Sequence, residues 1–292
     1  MTLLLKRMTS YLQLTPNTPW RRVVESVVVV ITMGLWGAFF AQSVGAQENA
    51  RANRLIDKLA ASQVARVGHD FTWIDMEHSA YNPETLGIII NALGRARNEK
   101  RQLMTPLVRI PAEGDQQFRW IVKQVLERGA LGIIFPHLET KEQAVYAVRT
   151  MRYPNQKGAK YPYPPGIRGV SMQNFTRTPG LGFRADVWPL NPEGELFAMV
   201  MIEDAEGVKN ANEIAGVPGV GAIFVAPNDL GVSLGVGPWE PNRPPETEAA
   251  IQTVLQACLA NNVVCATIVA TEAELQQRVE EGFRLFIGAG AQ

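Results

Sequence analysis

The sequence predicts an α/β fold, a parallel (β/α)8 barrel of the TIM type, on three observations. Short apolar runs rich in Val, Ile and Phe recur between residues 71 and 287. Each run is followed by a polar or Pro-containing turn and then a helical pattern, the alternation of a parallel sheet covered by helices. No Gly-x-Gly-x-x-Gly opens any of these helices, so an open dinucleotide-binding sheet loses its main support. Seven such units in about 220 residues fit a barrel of the usual ~250-residue size better than an open sheet.

In chain order the runs are 71–76 (FTWIDM), 104–110 (MTPLVRI), 131–135 (LGIIF), 196–202 (LFAMVMI), 222–226 (AIFVA), 263–269 (VVCATIV) and 284–287 (RLFI). Strands this apolar are buried on both faces. Helical patterns lie between them at 115–127, 141–151, 207–215, 246–260 and 272–281. One stretch breaks the rhythm: residues 152–195 are rich in Pro, Gly, Tyr and Asn. A segment this long without periodicity is usually functional or disordered. Placed after a barrel strand, it would cover the C-terminal mouth where barrel enzymes keep their sites.

The 292 residues carry 28 Lys and Arg against 28 Asp and Glu. That neutrality argues against a nucleic-acid partner, and it is a sum over unlike segments. Residues 1–46 hold Lys6, Arg7, Arg21 and Arg22 against Glu25, a net +3, which leaves −3 for 47–292. No charged residue occurs from Ser26 to Gln47, and the segment ends in Val44-Gly45-Ala46. A basic start, an apolar middle and a small-residue exit make an export signal to the periplasm, with an uncleaved membrane anchor as the competitor. The bland alternative is a buried helix or strand of a cytoplasmic chain. A domain boundary is therefore expected at 46/47. Cys258 and Cys265 lack a Cys-x-x-Cys or a His at ligand spacing, and read as two small buried hydrophobes.

The polar residues closing the runs are the chemistry-bearing ones: Asp75, Glu77 and His78, then Arg109, then Glu203 and Asp204, then Asn228 and Asp229. In a barrel these ends converge on one face. Two carboxylates from adjacent strand ends suit a hard divalent cation, Mg²⁺ or Mn²⁺ with Co²⁺ as a further option. An Arg beside them can hold a substrate oxyanion, and a His can move protons near neutral pH. Taken singly each has a structural explanation: Glu203-Asp204 or Asp229 as helix caps, His78 as a hydrogen-bonded structural residue, Arg109 in an internal ion pair.

The words DFTWIDMEH (70–78), PLVRIP (106–111), LERGALGIIFP (126–136), RYP…PPGIRGV (152–170), MIED…GVKNANEI (201–214) and GVGAIFVAPNDLGVSLG (219–235) stand in the order found in the HpcH/HpaI aldolase family. The chain resembles that family over roughly residues 53–290. The resemblance implies a TIM barrel, a divalent metal, a homo-oligomer, and class II cleavage of 4-hydroxy-2-oxo acids to pyruvate and an aldehyde through a metal-stabilised pyruvate enolate. It makes Glu203 and Asp229 the metal carboxylates, Arg109 the contact to the ketone oxygen, and His78 the acid/base. It makes Glu127, where the family usually has Asp, the supporter of that histidine. The backbone around Asn228 and Asp229 resembles the family's turn that holds the substrate carboxylate.

Three departures accompany the resemblance. Residues 62–70 are too short for the family's first strand plus a helix, and the closing helix after the last strand is absent. Met201 stands where many members have a substrate-contacting Gln. The expectation is a barrel lacking its first strand and last helix. Two alternatives to the aldolase stay open: a degenerate barrel serving as a binding or oligomer partner, and a CoA-thioester lyase of the citrate lyase β type.

Overall fold

The computed structural model describes residues 52–93, 104–111, 118–154, 160–171, 184–238 and 243–288. All belong to the unit Arg51–Gln292. Among them no helix is long and apolar enough to cross a membrane. The expected export or anchor segment 1–46 and the 46/47 boundary lie outside the described residues.

Eight strands form the barrel. They are β1 (Ala65–Arg66), β2 (Phe71–Asp75), β3 (Thr105–Arg109), β4 (Gly132–Phe135), β6 (Leu196–Ile202), β7 (Ala222–Val225), β8 (Val264–Val269) and β9 (Leu285–Gly288). All pairs are parallel, and the hydrogen-bonded order is β1-β9-β8-β7-β6-β4-β3-β2. The strand β5 (Val187–Trp188) pairs with the start of β6 off this path. The expected loss of the first strand takes a specific form. Two residues of β1 pair with Leu285 and Phe286 of β9, and one bridge from Val67 to Phe71 reaches β2. No helix separates β1 from β2, so this seam of the barrel is its thinnest.

The helices follow from their caps and apolar faces. They are α1 (Arg54–Ala60), α2 (Pro83–Leu93), α3 (Arg119–Glu127), α4 (Lys141–Met151), α5 (Ala205–Lys209), α6 (Ala211–Ala215), α7 (Pro227–Ser233), α8 (Pro245–Asn261) and α9 (Glu272–Glu281). Thr140 and Gln143 form a reciprocal capping box on α4, and Thr271 caps α9. The single helical pattern at 207–215 divides into α5 and α6 at Asn210. Alternate residues of each strand face opposite ways, which produces two apolar layers. Val108, Ile133, Val200 and Ile223 pack under the helices. Leu107, Ile134, Met199 and Phe224 fill the barrel interior.

Helix α1 closes the bottom of that interior. Leu55, Ile56 and Leu59 are buried in the interior layer, and Asn53 ties the helix to three strand starts. Its amide donates to the Leu131 and Glu195 carbonyls at 3.1 and 2.9 Å. Its Oδ1 accepts from the Thr105 hydroxyl at 3.1 Å, and its backbone N–H donates to Glu195 at 2.8 Å. Asn53→Ala strips a buried cap and leaves carbonyls without donors, at an expected cost of about 2–4 kcal/mol. Urea unfolding measures it.

Residues 152–195 correct one expectation. The segment follows helix α4, not a strand, so its described part lies at the N-terminal face of the barrel and not over the mouth. Arg152 there is buried. It donates to Asp186 at 2.6 Å, to the Tyr161 carbonyl at 2.8 Å and to the Pro164 carbonyl.

On the outer surface Glu248 accepts from Arg278 through both oxygens at 2.6 Å. The Arg278 hydrogen bonds, against the cost of burial, hold the Glu248 carboxyl down at about 2. A depressed carboxyl stabilises the fold above its unfolded value of 4.5, and the contribution is lost as pH falls towards about 2. Glu248 is 35% exposed, so screening limits the contribution to about 1 kcal/mol. Glu248→Gln should lose that much near neutral pH, and the gap to the native protein should close as unfolding is repeated in increasingly acidic buffer.

Candidate active site

The strand ends converge on a cavity of about 280 Å³ at the C-terminal mouth. Its polar lining is His78, Arg109, Glu203, Asn228 and Asp229, and its apolar lining includes Trp73, Met201 and Phe224. The residues named as functional from the sequence are therefore brought together, with one exception. Glu127 ends α3, just before the turn into β4, at the opposite face of the barrel. Its carboxylate is 3.9 Å from Lys123 of the same helix, and within one chain it does not meet His78.

The local fold explains each position. Glu203 is the residue after β6, turned inward with its side chain 1% exposed. The capping alternative falls to its neighbour, because Asp204 accepts from the Gly207 N–H at 2.7 Å and caps α5. Asp229 is likewise no cap: it sits in the first turn of α7, whose N-cap is Ala226. Asp75 orders the β2 exit by accepting from the Glu77 and His78 N–H groups at 3.0 and 3.4 Å. His78 is left 68% exposed, 3.7 Å from Glu77.

Arg109 is held as a fixed cation. Its Nε donates to Asp75 Oδ1 at 3.0 Å and its Nη2 to Oδ2. Its Nη1 stands 2.9 Å from Glu77 Oε2, and the guanidinium lies over the Trp73 ring at 5.3 Å. Burial alone would raise the Asp75 carboxyl, but the Arg109 hydrogen bond and charge together with the Glu77 and His78 N–H donors outweigh it and hold the group below its ordinary range. The same partners hold Arg109 above its ordinary value despite burial.

Sequence reasoning missed His137. Its Nε2 is 3.3 Å from Glu77 Oε1 and its Nδ1 is 3.5 Å from Glu203 Oε2, while its backbone N–H donates to Glu203 at 2.7 Å. The Glu77 hydrogen bond, with the Glu203 charge adding to it, raises the imidazole to about 9 against the effect of burial. Burial raises Glu203 to about 7, in part offset by His137. The signal was present: His137 follows the 131–135 run by one proline.

Among the described residues no group of three His, Cys, Asp or Glu side chains forms a closed metal site. Glu203 and Asp229 on one wall fit an open one. Two anionic oxygen donors with free positions beside them match Mg²⁺ or Mn²⁺, which complete their shells with water or substrate oxygens. A buried carboxylate raised by desolvation is also one that a cation would relieve.

Comparison with known proteins agrees with the geometry. Residues 55–292 match the family model described as HpcH/HpaI aldolase/citrate lyase. A hydroxypyruvate/pyruvate aldolase of Paraburkholderia phytofirmans is 32% identical over 232 residues, 80% of this chain and 82% of that one. A 5-keto-4-deoxy-D-glucarate aldolase of Escherichia fergusonii is 30% identical, covering 81% and 83%. The crystal structure of an HpcH/HpaI aldolase from Desulfitobacterium hafniense superposes with a TM-score of 0.66 at 25% identity, covering 82% of this chain and 90% of that one. Fold and relatives define an aldolase, a carbon–carbon lyase on a nearly closed parallel barrel. The chain belongs to the HpcH/HpaI aldolase/citrate lyase family.

Proposed function

We propose that the protein is a metal-dependent class II aldolase that cleaves 4-hydroxy-2-oxo acids to pyruvate and an aldehyde, or runs the reverse addition. The observation that carries this reading is one cavity lined by Glu203, Asp229, Arg109 and His78. A divalent cation held by Glu203 and Asp229 would supply Lewis-acid stabilisation of negative charge on the 2-oxo acid oxygens. Arg109, immobilised by Asp75 and Glu77, places a second positive charge at the ketone oxygen where charge develops. His78 takes the C4 hydroxyl proton as the C3–C4 bond breaks. The bond's electron pair moves into the three-carbon fragment, the aldehyde leaves, and protonation at C3 gives pyruvate. Trp73, Met201 and Phe224 give the cavity its apolar lining.

The test is pyruvate release from oxaloacetate or a 4-hydroxy-2-oxo acid with Mg²⁺ or Mn²⁺ added. Release that disappears on chelation and returns with metal supports the reading. No metal-dependent release from any such donor would sink it. The basic, then uncharged, then small-residue pattern of 1–46 supports export or membrane anchoring of this aldolase. A mature N-terminus at Gln47 would identify cleavage, and a full-length membrane-bound species an anchor.

A further inference from the structure

We propose that His137 is a positioning residue that fixes Arg109 through Glu77. The proposal rests on the aldolase reading for what Arg109 does.

The backbone at His137 is in the left-handed region, φ 53°, which non-glycine residues adopt uncommonly, Asn, Asp and His most often among them. The surrounding turn holds it there. The 137 N–H donates to Glu203, the Leu138 N–H donates to the Met201 carbonyl at 3.1 Å, and the α4 capping box begins at Thr140. This turn aims the imidazole across the mouth from the end of β4 to the Glu77 carboxylate beyond β2. Glu77 is 7% exposed, so its orientation depends on its immediate partners. Oε1 faces His137 at 3.3 Å and Oε2 faces Arg109 at 2.9 Å. Both contacts are ion pairs, one at each oxygen of the same buried carboxylate. The carboxylate is a rigid fork, so the His137 contact at Oε1 helps set where Oε2 stands, and with it the Nη1 end of the guanidinium. A catalytic group displaced by about 1 Å can lose two orders of magnitude in rate.

The imidazole also lies 3.5 Å from Glu203, which makes a second path conceivable, through the carboxylate assigned to the metal. Glu203 already has a 2.7 Å backbone donor at the same turn, and that donor survives any side-chain replacement. The effect of removing the imidazole should thus fall on Arg109 and not on the cation.

Three variants separate the two paths. His137→Gln places an amide nitrogen near the position of Nε2, facing Glu77. His137→Asn places one near Nδ1, facing Glu203, and suits the left-handed backbone, so it keeps the fold. His137→Ala removes both. Mn²⁺ affinity is read by direct titration, and pyruvate affinity by calorimetry on the Mn²⁺-saturated protein, with thermal midpoints in parallel. The expected result is pyruvate binding weaker by about tenfold or more in the Ala and Asn variants. It should be restored to within about threefold in the Gln variant, with Mn²⁺ affinity within about threefold of wild type in all of them. Asn rescuing as well as Gln, unchanged pyruvate affinity in the Ala variant, or a loss confined to Mn²⁺ affinity would each overturn the role. A wild-type protein that binds both probes but releases no pyruvate from any donor would instead remove the reaction reading, leaving the comparison among variants intact.

Discussion

Glu203→Ala abolishes divalent-cation binding and metal-dependent pyruvate release, with kcat/KM expected to fall by about three orders of magnitude or more. The size follows from what the cation supplies: several kcal/mol of charge stabilisation, each ~1.4 kcal/mol being tenfold in rate. Glu203 is the buried member of the carboxylate pair, and burial raises its carboxyl to about 7. Mn²⁺ titration and steady-state kinetics on the same preparation check the prediction. Asp229→Ala should behave alike, because the two carboxylates act as one site. If either variant keeps wild-type metal affinity, the ligand assignment is wrong.

The second large effect is at Arg109. Arg109→Lys preserves one charge but cannot reproduce the two parallel bonds to Asp75, since an ammonium is a point donor without the guanidinium fork. The ammonium would follow Asp75 or Glu77 and leave the ketone oxygen uncovered. Removing one such preorganised donor typically costs 10²–10³ in turnover, and about that loss is expected here. Mn²⁺ affinity should be unchanged, which distinguishes this variant from Glu203→Ala. A Lys variant with near-wild-type turnover would show that the Asp75–Arg109 pair is only structural.

Much of this was legible in the sequence for a physical reason: strands buried on both faces are apolar throughout, and their last residues are forced into the mouth. That placed Glu203, Arg109, His78 and Asp229 on one cavity before any geometry was known. What escaped lacks that signature. The strand Ala65–Arg66 is made by backbone pairing to β9 and carries no apolar run. The 207–215 helix broke at Asn210 because α5 and α6 each cap on it, a junction that periodicity does not show. Residues 152–195 would cover the mouth if they followed a strand, whereas they follow α4 and their described part lies at the other face. Glu127 was carried over from a resemblance, and its place at the end of α3 separates it from His78 within the chain. His137 was passed over because the strand-end reading stopped at Pro136. Its left-handed turn, which brings the imidazole back to Glu77 and Glu203, is a property of backbone geometry alone.

The central claim is that Glu203 and Asp229 hold a cation that, with Arg109, stabilises negative charge on a pyruvate fragment. It is tested most directly without any aldehyde, by following the methyl protons of pyruvate in D₂O by NMR with protein and Mg²⁺. The account predicts exchange of the methyl protons that requires both protein and metal, stops on chelation and is lost in Glu203→Ala. Exchange no faster than in the protein-free control, or exchange that persists in Glu203→Ala, would contradict it.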